Sequence, residues 1–570
     1  MGTLAAPSRI GRFAARWNRI GLSPWFVLAL ALAPATMILV FSECFVTQDG
    51  PAHLHNAHIL RMASFDPSAF GGIYEIRPRL VPNWGGHLLA LALDLSFAPE
   101  TSERMLSVVT LIAFASSTLA LRLSVSGRSG GAVAAVASAV AALNLTWFLG
   151  FTGFLLGCSL FAATSSLGWT IFASERPSAR SSLGLAMLLV LGWFCHPVSL
   201  GLTVAMLAAI VWMRGATLRR LATLGALVAP LIPLGAAYLG LSRAGGGLAP
   251  TWEMLGDPGT LSGWKSQLGW VDPIAVAAKT QLPGSSAGSP WFALLAPSHL
   301  LAAALGIAWV GFERGERQDA RRQWRRLGLA LMLIGILAPD TLGADHGHYL
   351  PQRIVLIGLV VSIAGLDLSS PGRLGRARLA AVGFVAALAM QTLWVGEYAR
   401  ECSRVAAPML RARSWIEPGD RLATVLADER NRFRVNPLLH VDCLLGVDSG
   451  AVVWSNYEPG HYYFPVQLRP DRSSPHPREF EDVARLVGRD ERARRAQLWE
   501  DLLGRHAARI DRVISFGGDP AIERVNARFF EQQRVSSEGL VRVWSRRATF
   551  AATFHGLDSN TDGIAEHRKR

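Results

Sequence analysis

Lysine is almost missing from this chain. Only Lys265, Lys279 and Lys569 occur, although Lys and Arg together number 56 against 42 Asp and Glu. The formal net charge of +14 is therefore an arginine charge. Charged residues of all kinds make up 17% of the sequence, and hydrophobic residues 51%. A nucleic-acid-binding protein would gather its cations into a patch that follows phosphates. Here the arginines are dispersed among short connections between apolar segments, which argues against a nucleic-acid partner. Five cysteines are present, and none has metal or redox spacing. Cys44, Cys158 and Cys195 fall in or beside apolar segments, the ordinary setting of a buried thiol. Cys402 and Cys443 lie in the polar C-terminal region, where an oxidising compartment would let them pair. A P-loop, a dinucleotide fingerprint and a strong internal repeat are also missing, so the sequence offers no nucleotide site.

What the chain does have is long apolar runs of about 20 residues, the length that crosses a hydrocarbon core. It reads as a polytopic α-helical membrane protein. Arg9, Arg12, Arg16 and Arg19 precede a first span near 24–46. That run is longer than a signal-peptide core, and no convincing cleavage site follows it, which makes it a retained anchor with a cytoplasmic basic start at 1–22. Further spans are expected near 100–122, 131–147, 149–173, 182–196, 198–213, 220–241, 290–311, 327–339, 353–368 and 378–398, about eleven in all. Alternate connections hold the arginines: Arg122 and Arg128; Arg176 and Arg180; Arg214, Arg219 and Arg220; the cluster from Arg314 to Arg326; and Arg373, Arg376 and Arg378. The positive-inside rule makes these connections cytoplasmic. The N-terminus is then inside, and everything beyond 398 is outside.

The expected organisation is a membrane domain over 23–398, with an external loop at 47–99, and an extracytoplasmic α/β domain over 399–570. Within the loop, residues 51–63 read as a short helix opening after Pro51. Residues 84–97 read as an apolar helix too short to span, lying in the interface. The loop 242–289, with Trp252, Trp264 and Trp270, suits headgroup level. Beyond 400, short β-type runs at 422–426, 452–454, 513–516 and 540–544 alternate with helical stretches, notably 478–509, before a frayed end.

Candidate chemistry gathers at the outer boundary. Asp49, in Thr47-Gln48-Asp49-Gly50-Pro51-Ala52-His53, stands where the first span meets water. Its local context suits a helix N-cap, and the same placement would hold a general base in a fixed direction. His53, His55 and His58 follow, with His55 and His58 on adjacent turns and His53 pointing elsewhere. Converging metal ligands are not indicated by that spacing. His196-Pro197 lies at a junction of two spans. Asp340, Asp345, His346, His348 and Tyr349 fill a short outer loop before Arg353, a lone outer cation suited either to snorkelling or to bidentate binding of a phosphate. Asn144, Gly150, Gly153 and Gly157 read as close helix packing.

Several of these features together resemble the type C glycosyltransferase superfamily of membrane enzymes that use polyprenyl-phosphate sugars. More narrowly, they are similar to bacterial proteins with an RgtA/B/C/D-like or mannosyltransferase-like domain. The resemblance rests on Asp49 in the first external loop, the helices near 51–63 and 84–97, the segment Leu143-Asn144-Leu145-Thr146-Trp147-Phe148-Leu149-Gly150-Phe151, His196-Pro197, and the exported tail. The paired acidic motif of many members is reduced here to one acid followed by Gly50. The resemblance implies a bacterial inner-membrane enzyme that takes a sugar from a polyprenyl-phosphate donor to an extracytoplasmic glycan, lipid or protein by inverting displacement. Asp49 would be the base, and His53, His196, His348 and Arg353 would bind substrate. It implies no cofactor, and a divalent metal finds no support in the sequence. The rival readings are a transporter or flippase of lipid-linked glycans, or a non-catalytic envelope protein.

Overall fold

The computed structural model of the protein describes residues 23–128, 130–175, 177–244, 304–306, 320–338, 348–366, 374–426, 435–470, 474–484, 486 and 491–547. The basic start at 1–22, most of the loop 242–289, most of the span at 290–311, Asp340, Asp345, His346 and the chain end beyond 547 lie outside the described residues.

The helices run in order as α1 (Pro24–Phe41), α2 (Gly50–Phe65), α3 (Trp84–Asp94), α4 (Pro99–Ser126), α5 (Gly131–Ala142), α6 (Leu145–Phe148), α7 (Thr152–Ile171), α8 (Ala179–Cys195), α9 (Pro197–Met213), α10 (Leu218–Val228) and α11 (Leu231–Ala244). After the undescribed stretch come α12 (Ala320–Leu337), α13 (Leu350–Ala364) and α14 (Leu374–Arg411). Among the described residues, α1, α4, α7 and α14 are long and apolar enough to cross a membrane, and the pair α10–α11, bent by 46°, would make a fifth span. The expected eleven are not all of that kind. Helices α5, α8, α9 and α13 are apolar but shorter.

The sequence explains why the expected spans break where they do. Asn144 ends α5 and starts α6: its Nδ2 donates to the carbonyls of Ala141 (2.9 Å) and Ala142 (3.1 Å), while its Oδ1 accepts from the Trp147 amide (3.2 Å). A short amide side chain thus substitutes for the ladder at both helix ends. Pro230 stands at the bend between α10 and α11, where it can supply no amide hydrogen. His196, in extended conformation before Pro197, separates α8 from α9.

Helices α12 and α13 pack with their backbones nearly touching. A Cβ at Gly358 would lie 2.9 Å from the Met332 amide nitrogen and 3.0 Å from the Gly328 carbonyl. Small residues at such a crossing let van der Waals contact replace a hydrophobic driving force that lipid does not provide. This contact fixes α13, and with it Arg353.

Helix α14 is 38 residues long. At 1.5 Å per residue it is about 57 Å, roughly twice a hydrocarbon core, so it passes residue 398 without a break. The remaining elements follow it: β2 (Arg421–Leu426), α15 (Asp442–Ser449), β3 (Val452–Val453), β4 (Val466–Leu468), α16 (Pro477–Ala484), α17 (Arg492–His506), β5 (Arg512–Phe516), α18 (Pro520–Phe529), β6 (Phe530–Val535) and β7 (Val541–Arg546). They build a five-stranded sheet in the order β3-β2-β5-β7-β6. Strands β3, β2 and β5 are parallel, and β7 and β6 are antiparallel additions. Central β2 is buried along nearly its whole length, as a parallel strand covered on both faces must be.

A second, two-stranded sheet pairs β1 (Tyr74–Ile76) with β4, antiparallel. It fastens the loop 47–99 to the C-terminal region through the backbone. Cys402 and Cys443, which an oxidised tail would have allowed to pair, are free and buried. Cys402 instead directs its thiol at the Val46 carbonyl, 3.6 Å away.

Candidate functional site

Asp49 occupies the N-cap position of α2, but its side chain caps nothing. Thr47 takes over that task. Its Oγ1 accepts from the Gly50 amide (3.1 Å) and donates to Glu103 Oε1 (2.7 Å), which also accepts from the Thr47 amide (2.9 Å). The Asp49 carboxylate is thereby released from the helix end. It accepts a bond from Gln48 Nε2 (3.2 Å) and faces His440 Nε2 at 4.0 Å.

The segment carrying Asp49 rests on the α6–α7 corner. The Gln48 amide donates to the Phe148 carbonyl (3.2 Å) and the Asp49 amide to the Leu149 carbonyl (3.0 Å). Gly150, with φ +78°, makes that approach feasible: a Cβ there would stand 2.5 Å from Thr47 Oγ1 and 2.8 Å from the Gly50 nitrogen. Gly150→Ala should therefore cost about 1–3 kcal/mol and displace Asp49. A drop of several degrees in unfolding temperature, accompanied by lost activity, is the expected measurement.

The three histidines of α2 go to three separate partners. His53 Nδ1 contacts Glu458 Oε1. His55 Nδ1 meets Asn456 Nδ2 at 3.1 Å. His58 Nδ1 lies 3.3 Å from Asp94 Oδ2, a carboxylate also held by Arg61 Nη1 at 3.0 Å. His53 is thus occupied by an acid from the C-terminal region, and the trio does not converge.

On the other side of the corner, the Arg353 guanidinium contacts His196 Nε2. It lies 4.8 Å from the Phe151 ring centroid and 5.1 Å from that of Phe154, cation-on-ring geometry. His196 Nδ1 accepts from the Val198 amide (3.3 Å), so a neutral His196 carries its hydrogen on Nε2. Two donors therefore converge there, an arrangement that an anionic oxygen would satisfy. The Arg353 Nε is buried and finds no acceptor among the described residues. Asp49, Tyr457 and Tyr463 are near enough to Arg353 to act on it electrostatically. His348, by contrast, is exposed in the turn before α13, beside Tyr349, whose ring packs 5.5 Å from Phe151.

Burial pushes the Asp49 carboxyl up to about 7 from 3.8; His53 and the Gln48 bond pull it back, while Glu481 and Glu458 push it further up. Burial works against a charged His53, but the Glu458 charge and hydrogen bond outweigh it and raise the ring to about 9. Asp49 thus takes up a proton on folding at mildly acidic pH. Its contribution to stability is full below about 3.8 and is lost as pH rises through about 7. Unfolding temperature should fall across that window in the wild type and fall less in Asp49→Asn, measured by intrinsic fluorescence in detergent.

Sequence reading missed Glu103, His87, His440, Tyr457 and Glu458. His87 was visible in the Trp84-Gly85-Gly86-His87 helix start, but its partner Glu458 lies 371 positions away. Glu458 sits in the turn Tyr457-Glu458-Pro459-Gly460, which carries no signal beyond that of a turn. Tyr457, His461, Tyr463 and Phe464 pack ring against ring in and after that turn.

No family model matches the chain, and no curated protein matches it. Among solved structures, the chain is similar to ArnT from Cupriavidus metallidurans bound to undecaprenyl phosphate, with 12% identity, 92% of this chain and 98% of that one covered, and a TM-score of 0.47. For the same protein in the apo state the values are 11%, 94%, 99% and 0.48. For the archaeal oligosaccharyltransferase AglB from Archaeoglobus fulgidus, in complex with an inhibitory peptide and a dolichol-phosphate, they are 10%, 92%, 74% and 0.34.

Proposed function

We propose that the protein is an integral membrane glycosyltransferase that moves a sugar from a polyprenyl-phosphate donor to an extracytoplasmic acceptor. One observation carries this reading. An acid freed from capping and the Arg353–His196 pair stand on opposite sides of the same corner, Phe148 to Phe154. In the step itself, Asp49 accepts the proton of an acceptor hydroxyl while that oxygen bonds to the anomeric carbon. The anomeric carbon–oxygen bond to the phosphate breaks from the opposite face, and its electron pair leaves with the polyprenyl phosphate, so the sugar inverts. Arg353 and His196 stabilise the phosphate as its charge grows. His348 guides the headgroup from the exposed turn. Tyr457 and Tyr463 offer aromatic faces to the acceptor.

The membrane is the bacterial inner membrane, with residues 47–99 and the region from 399 onward on its outer side. The acceptor is a glycan, lipid or protein of the envelope. A transporter would need charges along its spans. In α4 the buried charges Glu103 and Arg122 stand toward the two ends of the helix.

The test is sugar transfer in proteoliposomes from a labelled polyprenyl-phosphate sugar to an added envelope extract. Labelled acceptor together with free polyprenyl phosphate is the expected outcome. Intact donor moved across the bilayer, with no bond broken, would support the transporter reading instead.

A further inference from the structure

Glu458 is fully buried and receives two imidazoles, each from a different helix. His53 Nδ1 on α2 meets one oxygen, and His87 Nε2 on α3 meets the other at 2.6 Å. The His53 side chain is 12% exposed and that of His87 2%. One ligand atom from each of the three residues lies within 4.8 Å of the others. Three separate parts of the chain, the two loop helices and the C-terminal region, therefore present donor atoms to one small volume.

The protonation of His87 is constrained by its other nitrogen. Nδ1 lies 2.8 Å from the Asn83 carbonyl oxygen, which can only accept, so Nδ1 carries the hydrogen. A neutral His87 then turns the bare lone pair of Nε2 toward a carboxylate oxygen. Two lone pairs at that distance repel, and a positive centre is needed between them. A histidine that donates its far N–H to a backbone carbonyl while its near nitrogen joins a second histidine and a carboxylate is the arrangement that orients metal ligands. Two imidazole nitrogens and one carboxylate suit zinc and its neighbours, and leave a fourth position open. Calcium and magnesium require more oxygen ligands than this group supplies.

We propose that His53, His87 and Glu458 form a zinc-class divalent metal site that clamps the helices of the external loop to the C-terminal region. The site does not depend on the glycosyl-transfer reading. It reverses the expectation from sequence, because its ligands come from three distant segments.

The experiment uses the full-length protein, purified without added metal, with metal content measured by mass spectrometry. About one zinc per chain is expected in the wild type, and background levels in His87→Ala and Glu458→Gln. Stripping the wild type with a chelator should lower its unfolding temperature, and zinc, but not magnesium, should restore it at stoichiometric amounts. The wild-type strip-and-reload comparison needs no variant to fold. Two results would overturn the proposal: stripped protein that neither loses stability nor regains it with zinc, or equal zinc in wild type and both variants. The first would identify the cluster as a protonated His–Glu pair, and the second would show that the bound metal lies elsewhere.

Discussion

Replacing Asp49 with Asn should lower the turnover of glycosyl transfer by about 10²–10⁴-fold, the usual contribution of a positioned general base. Donor affinity should change little, because Asp49 acts on the acceptor hydroxyl and not on the lipid phosphate. Folding should survive as well, since Thr47 Oγ1 already caps α2 and, among the described residues, the Asp49 side chain bonds only Gln48 and faces His440. The wild-type rate should rise as pH passes through about 7, where the buried carboxyl ionises. That direction is opposite to the stability trend of the same group. A base that burial holds partly protonated is cheaper to fold at low pH and active only at higher pH. Initial rates and unfolding temperatures measured across one pH series would show the two curves crossing.

The second large effect belongs to Arg353. Its guanidinium lies against His196 and over Phe151 and Phe154. Arg353→Ala should weaken polyprenyl-phosphate binding and cut kcat/KM about 10²-fold or more, on the scale of losing a preorganised donor to developing charge. Arg353→Lys should recover little. An ammonium can neither span two phosphate oxygens nor stack flat on the two rings. Full activity in the lysine variant would mean that only charge matters there. Because Gly328 and Gly358 hold α12 and α13 together independently of Arg353, neither substitution should unfold the protein.

Local signals made much of the fold legible. Pro51 and Pro197 marked two helix starts, and α2 and α3 lie close to the expected 51–63 and 84–97. The runs at 422–426, 452–454, 513–516 and 540–544 all contribute to strands of the five-stranded sheet. Strand β6, Phe530-Glu531-Gln532-Gln533-Arg534-Val535, was not visible because it is an edge strand: only Phe530 is buried, and its polar row protects an open edge from pairing. The β1–β4 pair was equally hidden, since three residues on each side carry no period.

Legibility of the candidate site divides along the same line. Asp49, His196 and Arg353 were readable, because each is an ionisable group at a boundary between apolar runs, a place where such groups are costly and informative. Their partners were not. Glu103 lies 56 positions from Thr47, and Glu458 lies 405 from His53. Two buried acids reach this segment only through the fold, Glu103 at Thr47 and Glu458 at His53. Local spacing has no access to pairings over such distances. His348, close to Arg353 in sequence, lies exposed in the turn that precedes the helix.

The central claim is that Asp49 removes a proton from an acceptor at an external, lipid-phosphate-dependent site. Its most direct test is single-turnover sugar transfer at saturating labelled polyprenyl-phosphate sugar, above pH 8, with donor binding measured on the same preparations of wild type and Asp49→Asn. Equal donor binding is expected, with transfer lost by about two orders of magnitude or more in the variant. Equal transfer by both proteins would contradict it.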